Sequence, residues 1–151
     1  MKKHQAFTLM ELLIVCIVIS VMLVITVPFA KSFSQKRQSM LTRQQLLQAL
    51  EVARAEAVAL GHAVLLKSED RYDWSQGYDI EDVQTQRLIR HFQPNVVKNA
   101  RLIWKDFTNK PNLCFLSDGQ TDSQNGSFYY TINQSLTWKI IVNKAGRAHF
   151  E

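Results

Sequence analysis

The dominant pattern of hydrophobic and polar positions is an uncharged, mostly apolar run of 19 residues from Leu12 to Ala30. At the helical rise of about 1.5 Å per residue, such a run crosses the roughly 30 Å hydrocarbon layer of a bilayer. Lys2 and Lys3 precede the run, and no acid stands before Glu11. Because flanking basic residues stay on the cytoplasmic side, the rest of the chain is expected beyond the membrane. We therefore predict a membrane-spanning helix over residues 7–30.

Residues 31–60 continue the helical pattern without a proline. They are rich in residues of high helix propensity, and Gly61 is a natural stop. Steps of three and four residues give this segment one apolar stripe, formed by Leu47, Leu50, Ala53, Ala57 and Leu60. We predict an amphipathic helix that ends near residue 60 and lies against a globular domain.

Beyond Gly61 the pattern changes to short segments rich in β-branched and aromatic residues. The predicted strands are residues 63–67, 74–80, 87–92, 101–107, 113–116, 126–132 and 138–142. The pairs Asp118-Gly119 and Asn125-Gly126 are typical of turns. The whole pattern predicts an α+β fold in which a long N-terminal helix packs on antiparallel β-sheet.

Glu11 is unusual, because an ionisable residue at the mouth of an apolar helix is costly in lipid and indicates a function and a partner. Two simpler interpretations compete with a functional one. A cleaved secretory signal has a basic start, but its apolar region is shorter, and a cut after Ala30 would put Pro28 where a small residue is needed. A plain signal anchor accounts for the lysines and the apolar run but gives Glu11 no role.

The order of residues in this region resembles the processing site of type IV pilins and type II secretion pseudopilins. Lys2-Lys3 is followed by Ala6-Phe7-Thr8-Leu9, then Glu11, then the apolar helix. The resemblance implies that a prepilin peptidase cuts between Ala6 and Phe7, removes residues 1–6 as a leader and methylates the new N-terminus. The family more often has Gly where this chain has Ala6.

The same resemblance implies roles in assembly for Glu11 and Pro28. After the cut, the positive amine of Phe7 would be neutralised by Glu11 of a neighbouring subunit. The apolar helix would then leave the inner membrane and pack against other pilin subunits in a filament core, out of water. Pro28 lacks an N–H and would bend or loosen the helix, although a kink in an ordinary anchor explains it equally well.

Later segments resemble the FimT and GspH group of minor pilins and pseudopilins. They are residues 46–57, 74–80, 113–119, 126–128 and 138–147. This resemblance implies a periplasmic pilin head over residues 31–151, held first in the bacterial inner membrane and then in a pilus or pseudopilus at the cell surface. The length of 151 residues leaves room for one such domain.

The residues with catalytic or metal-binding chemistry form no recognisable pattern. His62, His91 and His149 are far apart and have no metal-ligand spacing with an acid or cysteine. Cys16 lies in the apolar run, so Cys114 has no partner for a disulfide within the head. We expect no enzyme activity, no catalytic residues, no metal and no cofactor.

Charge gives the remaining signal about partners. Residues 83–151 carry nine Lys and Arg against four acids, whereas residues 31–82 carry seven against eight. Such a surplus favours a polyanion, most commonly DNA, although scattered lysines can also form a solubilising face. The candidate DNA-binding residues are Lys98, Arg101, Lys105, Lys139, Lys144, Arg147 and His149.

Two functional classes remain open. The FimT branch implies a minor pilin of a type IV pilus whose head binds double-stranded DNA for uptake in natural transformation, and it tends to end in Gly-Arg-x-Arg. This chain has Gly146-Arg147-Ala148-His149, and a histidine is largely neutral at pH 7. The GspH and FimU branches imply a structural subunit that acts in filament priming or assembly. We favour the DNA-binding minor pilin.

Overall fold

The computed structural model describes residues 8–123 and 125–151, and the side chains of residues 25–29 and 31 lie outside this description. Within the described residues, one helix, α1 (Leu9–Leu60), is followed by eight strands. The strands are β1 (Val64–Ser68), β2 (Tyr78–Asp82), β3 (Leu88–Phe92), β4 (Ala100–Asp106), β5 (Leu113–Phe115), β6 (Asn125–Ile132), β7 (Ser135–Asn143) and β8 (Ala148–Phe150). The predicted α+β fold is confirmed.

The chain divides into two compact units, and the boundary between them lies within α1, after Arg37. In the first unit, every side chain from Leu9 to Val24 is exposed. No helix formed by residues 8–123 and 125–151 is both long and apolar enough to cross a membrane. Residue 7 and the side chains of residues 25–29 belong to the predicted span over residues 7–30, but they lie outside the described part of the chain.

The second unit, Gln38–Glu151, holds the hydrophobic core. From α1 the core takes a buried stripe at helical spacing, consisting of Leu46, Ala49, Leu50, Ala53 and Ala57. Three residues of the predicted stripe, Leu50, Ala53 and Ala57, belong to it. Leu47 is only partly buried against the core, and 44% of Leu60 is exposed. Leu60 is the last residue of α1, and Gly61 follows with a φ of +73°, which ends the helix as predicted.

The strands form two antiparallel sheets, a division that the sequence pattern did not predict. Sheet I has the order β3-β2-β1-β5, and sheet II has the order β4-β6-β7-β8. In sheet II, Phe128 and Tyr130 of β6 are fully buried, whereas Tyr129 between them is only half-buried. Period-two alternation therefore gives sheet II an inner face in the core and an outer face toward solvent.

Polar contacts fix the inner side of sheet II to α1. The indole Nε1 of Trp138 donates a hydrogen bond to Ser39 Oγ at 2.9 Å. Tyr130 stacks on Trp138 with 4.7 Å between the ring centroids. Arg54 Nε donates to the Gly119 carbonyl at 3.1 Å, which ties the loop after β5 to the helix. None of these contacts involves the outer face of sheet II, which stays uncovered within the described chain.

One of the two predicted turns is wrong. Asn125 and Gly126 lie inside β6, where a Cβ on Gly126 would come within 2.1 Å of the Trp104 ring. This glycine therefore serves close packing. The β6–β7 hairpin turns instead at Asn133 and Gln134, both with positive φ, as in a type I′ turn.

The other turn, Asp118-Gly119, is confirmed. Gly119 has a φ of +77°, and its N–H donates to the Leu116 carbonyl at 2.8 Å.

Candidate nucleic-acid interface

The predicted processing site, Ala6 and Phe7, lies outside the described residues. Glu11 lies in the first turn of α1, where its backbone N–H donates to the carbonyl and the hydroxyl of Thr8 at 3.1 and 3.3 Å. Its carboxylate is exposed and has no ion pair within residues 8–123 and 125–151. It is therefore available to a cation from another molecule. Pro28 lies within the bounds of α1, and its side chain is outside the description.

The outer face of sheet II brings together four of the predicted DNA-binding residues. They are Arg101 and Lys105 on β4, Lys139 on β7 and His149 on β8. Arg101 and Lys105 point outward because Leu102 and Trp104, which alternate with them, are buried. Strand pairing across the sheet then brings side chains of β7 and β8 onto the same face.

Tyr129 lies at the centre of this face. It is paired with Ile103 of β4 on one side and with Lys139 of β7 on the other. The Nζ atoms of Lys105 and Lys139 lie 5.8 and 5.9 Å from the centroid of its ring. Two ammonium groups beside one aromatic ring combine positive charge with a π-face, as nucleic-acid-binding surfaces do.

Lys139 also pairs with Glu151, whose Oε2 lies 2.8 Å from Lys139 Nζ. The hydrogen bond between them raises the pKa of Lys139 and lowers the pKa of Glu151. Both groups are therefore charged at neutral pH, and Glu151 offsets one of the positive charges on the face.

The other three predicted residues lie at the ends of sheet II. Lys98 precedes β4, at the end where Ala100 pairs with Ile132. Lys144 and Arg147 lie in the turn between β7 and β8 at the opposite end. All three are exposed, and a strand of the length of β4 separates the two ends by roughly 20 Å. The structure thus brings four of the seven residues onto one face and the rest to its edges.

Asp106 adds negative charge where β4 ends. Its carboxylate accepts hydrogen bonds from Thr108 Oγ1, from Ser123 Oγ at 3.0 Å and from the Lys110 N–H at 2.9 Å. Desolvation works to raise the pKa of Asp106, but these hydrogen bonds outweigh it and hold the pKa below its usual range. Asp106 is therefore ionised at neutral pH.

Two histidines elsewhere in the described chain lie beside carboxylates. His62 Nδ1 lies 3.1 Å from Asp82 Oδ1. His91 Nδ1 lies 2.7 Å from Asp79 Oδ1 and 3.9 Å from Glu69 Oε1. Across residues 8–123 and 125–151, no group of three or more His, Cys, Asp or Glu side chains could hold a metal ion.

Sequence reasoning missed the uncharged residues of the outer face. Tyr129 and Asn125 on β6, Asn143 on β7 and Phe107 after β4 all line the same groove beside Lys105. The alternation of Phe128 and Tyr130 already directed Tyr129 to the other face. No local signal marks the remaining three, because their proximity depends on strand pairing.

Comparison with known proteins gives two family matches. The chain matches the family described as type II transport protein GspH over residues 42–146. It also matches the prokaryotic N-terminal methylation motif over residues 1–27. A search of the curated proteins found no match.

The fold is similar to that of solved minor pilins. For FimU of Pseudomonas aeruginosa, a type IV minor pilin, one crystal form gives a TM-score of 0.62 at 19% identity, over 82% of this chain and 92% of that one. A second form gives 0.61 at 20% identity, over 73% and 90%. The minor pseudopilin EpsH from the type 2 secretion system of Vibrio cholerae gives 0.50 at 12% identity, over 72% and 91%. At these identities the likeness concerns the fold alone.

Proposed function

Because the chain belongs to the GspH family of type II transport proteins, we propose that it is a minor pilin whose head binds DNA through the outer face of sheet II. Family and fold together make it a minor pilin or pseudopilin of a type IV pilus or a type II secretion system. The finer part of the proposal is the capture of extracellular duplex DNA, without sequence preference, for natural transformation. The chain itself performs no catalysis in this role.

The methylation motif implies processing by prepilin peptidase and assembly with other pilins. We propose that the cut falls between Ala6 and Phe7 and that the new amine pairs with Glu11 of a neighbouring subunit. The exposed carboxylate of Glu11, unpaired within the described chain, supports this pairing. Mass spectrometry of the mature N-terminal peptide tests the cut. N-methylated Phe7 is expected, and a mature protein that retains Lys2 would exclude it.

DNA binding rests on one observation, the position of Lys105 and Lys139 beside Tyr129, with Arg101 on the same open sheet face. Each cation that contacts a phosphate releases condensed counterions. The logarithm of the affinity for duplex DNA then falls with the logarithm of salt concentration by about 0.9 per contact. Three contacts predict a slope of about −2.7. None of these contacts reads a base edge, so binding should be independent of sequence.

A structural subunit that does not bind DNA is the second candidate. It is favoured by the ion pair between Lys139 and Glu151, which reduces the charge available to phosphate. In this role the head would serve only in filament priming or assembly.

A titration of labelled 20-base-pair DNA with the full chain in non-ionic detergent separates the two candidates. Lys105→Gln and Lys139→Gln should each weaken binding at low salt and reduce the salt slope by about 0.9. Lys67→Gln is the matched control for Lys139→Gln. Lys67 forms a comparable, partly exposed ion pair, at 2.6 Å, with Glu81 of sheet I. Absence of binding at low salt, or equal losses in all three variants, would favour the structural subunit.

A further inference from the structure

The outer face of sheet II contains an open groove with a volume of about 540 Å³. Phe107 and Lys105 line it from the end of β4, Tyr129 and Asn125 from β6, and Asn143 from β7. Phe107 is 84% exposed and belongs to no core cluster. An aromatic side chain left this open, in a groove that the Tyr129 ring also lines, provides a surface on which a flat ligand can stack.

Hydrogen-bond donors lie in the same groove. Asn125 Oδ1 accepts from the Lys144 N–H at 3.2 Å, and Asn143 Oδ1 accepts from the Arg147 N–H at 2.9 Å. With both amide oxygens occupied, the two Nδ2 groups have no hydrogen-bond partner within residues 8–123 and 125–151. Carbonyl oxygens and ring nitrogens of a nucleobase are suitable acceptors for them.

The charges in and around the groove indicate where the base and the phosphates of a bound nucleotide would lie. Lys105 and Asp106 both line the groove, and Asp106 is ionised, so its negative charge offsets the attraction of Lys105 for a phosphate inside the groove. The cations Lys105 and Lys139 stand beside the Tyr129 ring. A neutral base in the groove, with its phosphates on the neighbouring lysines, satisfies both constraints.

We propose that this groove takes an unpaired nucleobase stacked on Phe107 and Tyr129, so that the head prefers single-stranded DNA to duplex DNA. The inference rests on the proposed DNA-binding function and refines it: duplex DNA binds this face through phosphate contacts alone, and a single strand binds more tightly because its bases are free to stack. In a duplex the base faces are already stacked, and bringing one into the groove requires unpairing it. A flexible single strand presents bases without that cost, and each stacked base adds to the affinity.

The test compares a labelled 12-nucleotide oligothymidine with a 12-base-pair duplex, both titrated with the full chain in non-ionic detergent at one salt concentration. The single strand should bind more tightly. Phe107→Leu keeps an apolar side chain but removes the π-face, and it should weaken single-strand binding about tenfold while changing duplex binding less than twofold. Phe33→Leu is the control, because Phe33 is 71% exposed on α1 and does not line the groove.

A fluorescent base analogue gives a second readout. An oligonucleotide carrying 2-aminopurine should lose fluorescence on binding to the unmodified chain, through stacking, and should recover it with Phe107→Leu. Tyr129→Leu should behave like Phe107→Leu, and thermal unfolding of each variant checks that it is folded.

Each outcome decides between the two proposals. Equal binding of both DNAs, unaffected by Phe107→Leu but weakened by Lys105→Gln, would overturn the groove assignment and leave the proposed DNA-binding function intact. Absence of binding to either DNA at low salt would overturn both.

Discussion

Gly146 is the position where a single added methyl group should most clearly damage the head. It is buried in the turn between β7 and β8 with a φ of +70°. A Cβ built there lies 2.2 Å from the carbonyl oxygen of Gly119. That same oxygen accepts the hydrogen bond from Arg54 Nε. Gly146→Ala must therefore move the Gly119 backbone and weaken its contact with helix α1.

Two contributions set the size of the effect. A non-glycine residue in the left-handed region costs roughly 1–2 kcal/mol, partly offset by about 0.4–1 kcal/mol from the reduced entropy of the unfolded chain. Loss of a hydrogen bond from a charged donor adds about 1.5–3 kcal/mol. We expect Gly146→Ala to lower the free energy of unfolding by roughly 2–4 kcal/mol.

Gly61→Ala isolates the backbone contribution. Gly61 has nearly the same φ, +73°, but no neighbouring atom lies within 4 Å of a Cβ placed on it. Gly61→Ala should lower the free energy of unfolding by about 1 kcal/mol or less. Urea unfolding of the full chain, followed by tryptophan fluorescence, measures both variants, because Trp74, Trp104 and Trp138 all lie in the second unit. Losses that agree within about 0.5 kcal/mol would refute the close-approach argument.

Three further predictions concern other parts of the chain. Glu11→Ala should be cut and methylated normally but be depleted from sheared filaments, and incorporation at the unmodified level would contradict its pairing role. Ser39→Ala leaves the buried Trp138 N–H without its acceptor and should cost roughly 1–3 kcal/mol in urea unfolding, whereas Ser34→Ala, on an exposed part of α1, should cost little. Hydrogen bonds from Thr85 and the backbone outweigh desolvation and lower the pKa of Asp82. The free energy of unfolding should then decrease as pH falls from about 5 through that lowered value, and it should decrease less in Asp82→Asn. If urea unfolding gives the same pH dependence for both proteins, Asp82 does not cause the decrease.

The helix and most strands could be predicted because their periodicity is local. The end of α1 at Leu60 followed from Gly61, and seven of the eight strands in the described residues overlap their predicted ranges. β8 was missed because Ala148–Phe150 is too short to show alternation. Gly126 was misread because its role depends on Trp104, a residue 22 positions earlier in the chain that the pairing of β4 with β6 brings beside it.

The candidate site could be predicted only in part for a similar reason. The spacing of Arg101 and Lys105 already placed them on one side of a strand. Their proximity to Lys139 requires the pairings of β4 with β6 and of β6 with β7, which no local pattern specifies. The ion pair of Lys139 with Glu151 likewise depends on β8 folding back along β7.

Chemical cross-linking of DNA to the full chain tests the central claim most directly. Formaldehyde joins lysine amines to nearby bases, and mass spectrometry of the digested protein locates the joined peptides. The account predicts that cross-links concentrate on β4 and β7, at Lys105 and Lys139, and disappear at high salt as phosphate contacts are lost. Cross-links that concentrate on sheet I at Lys67, or their absence under conditions where an established DNA-binding protein is cross-linked, would contradict DNA binding by the outer face of sheet II.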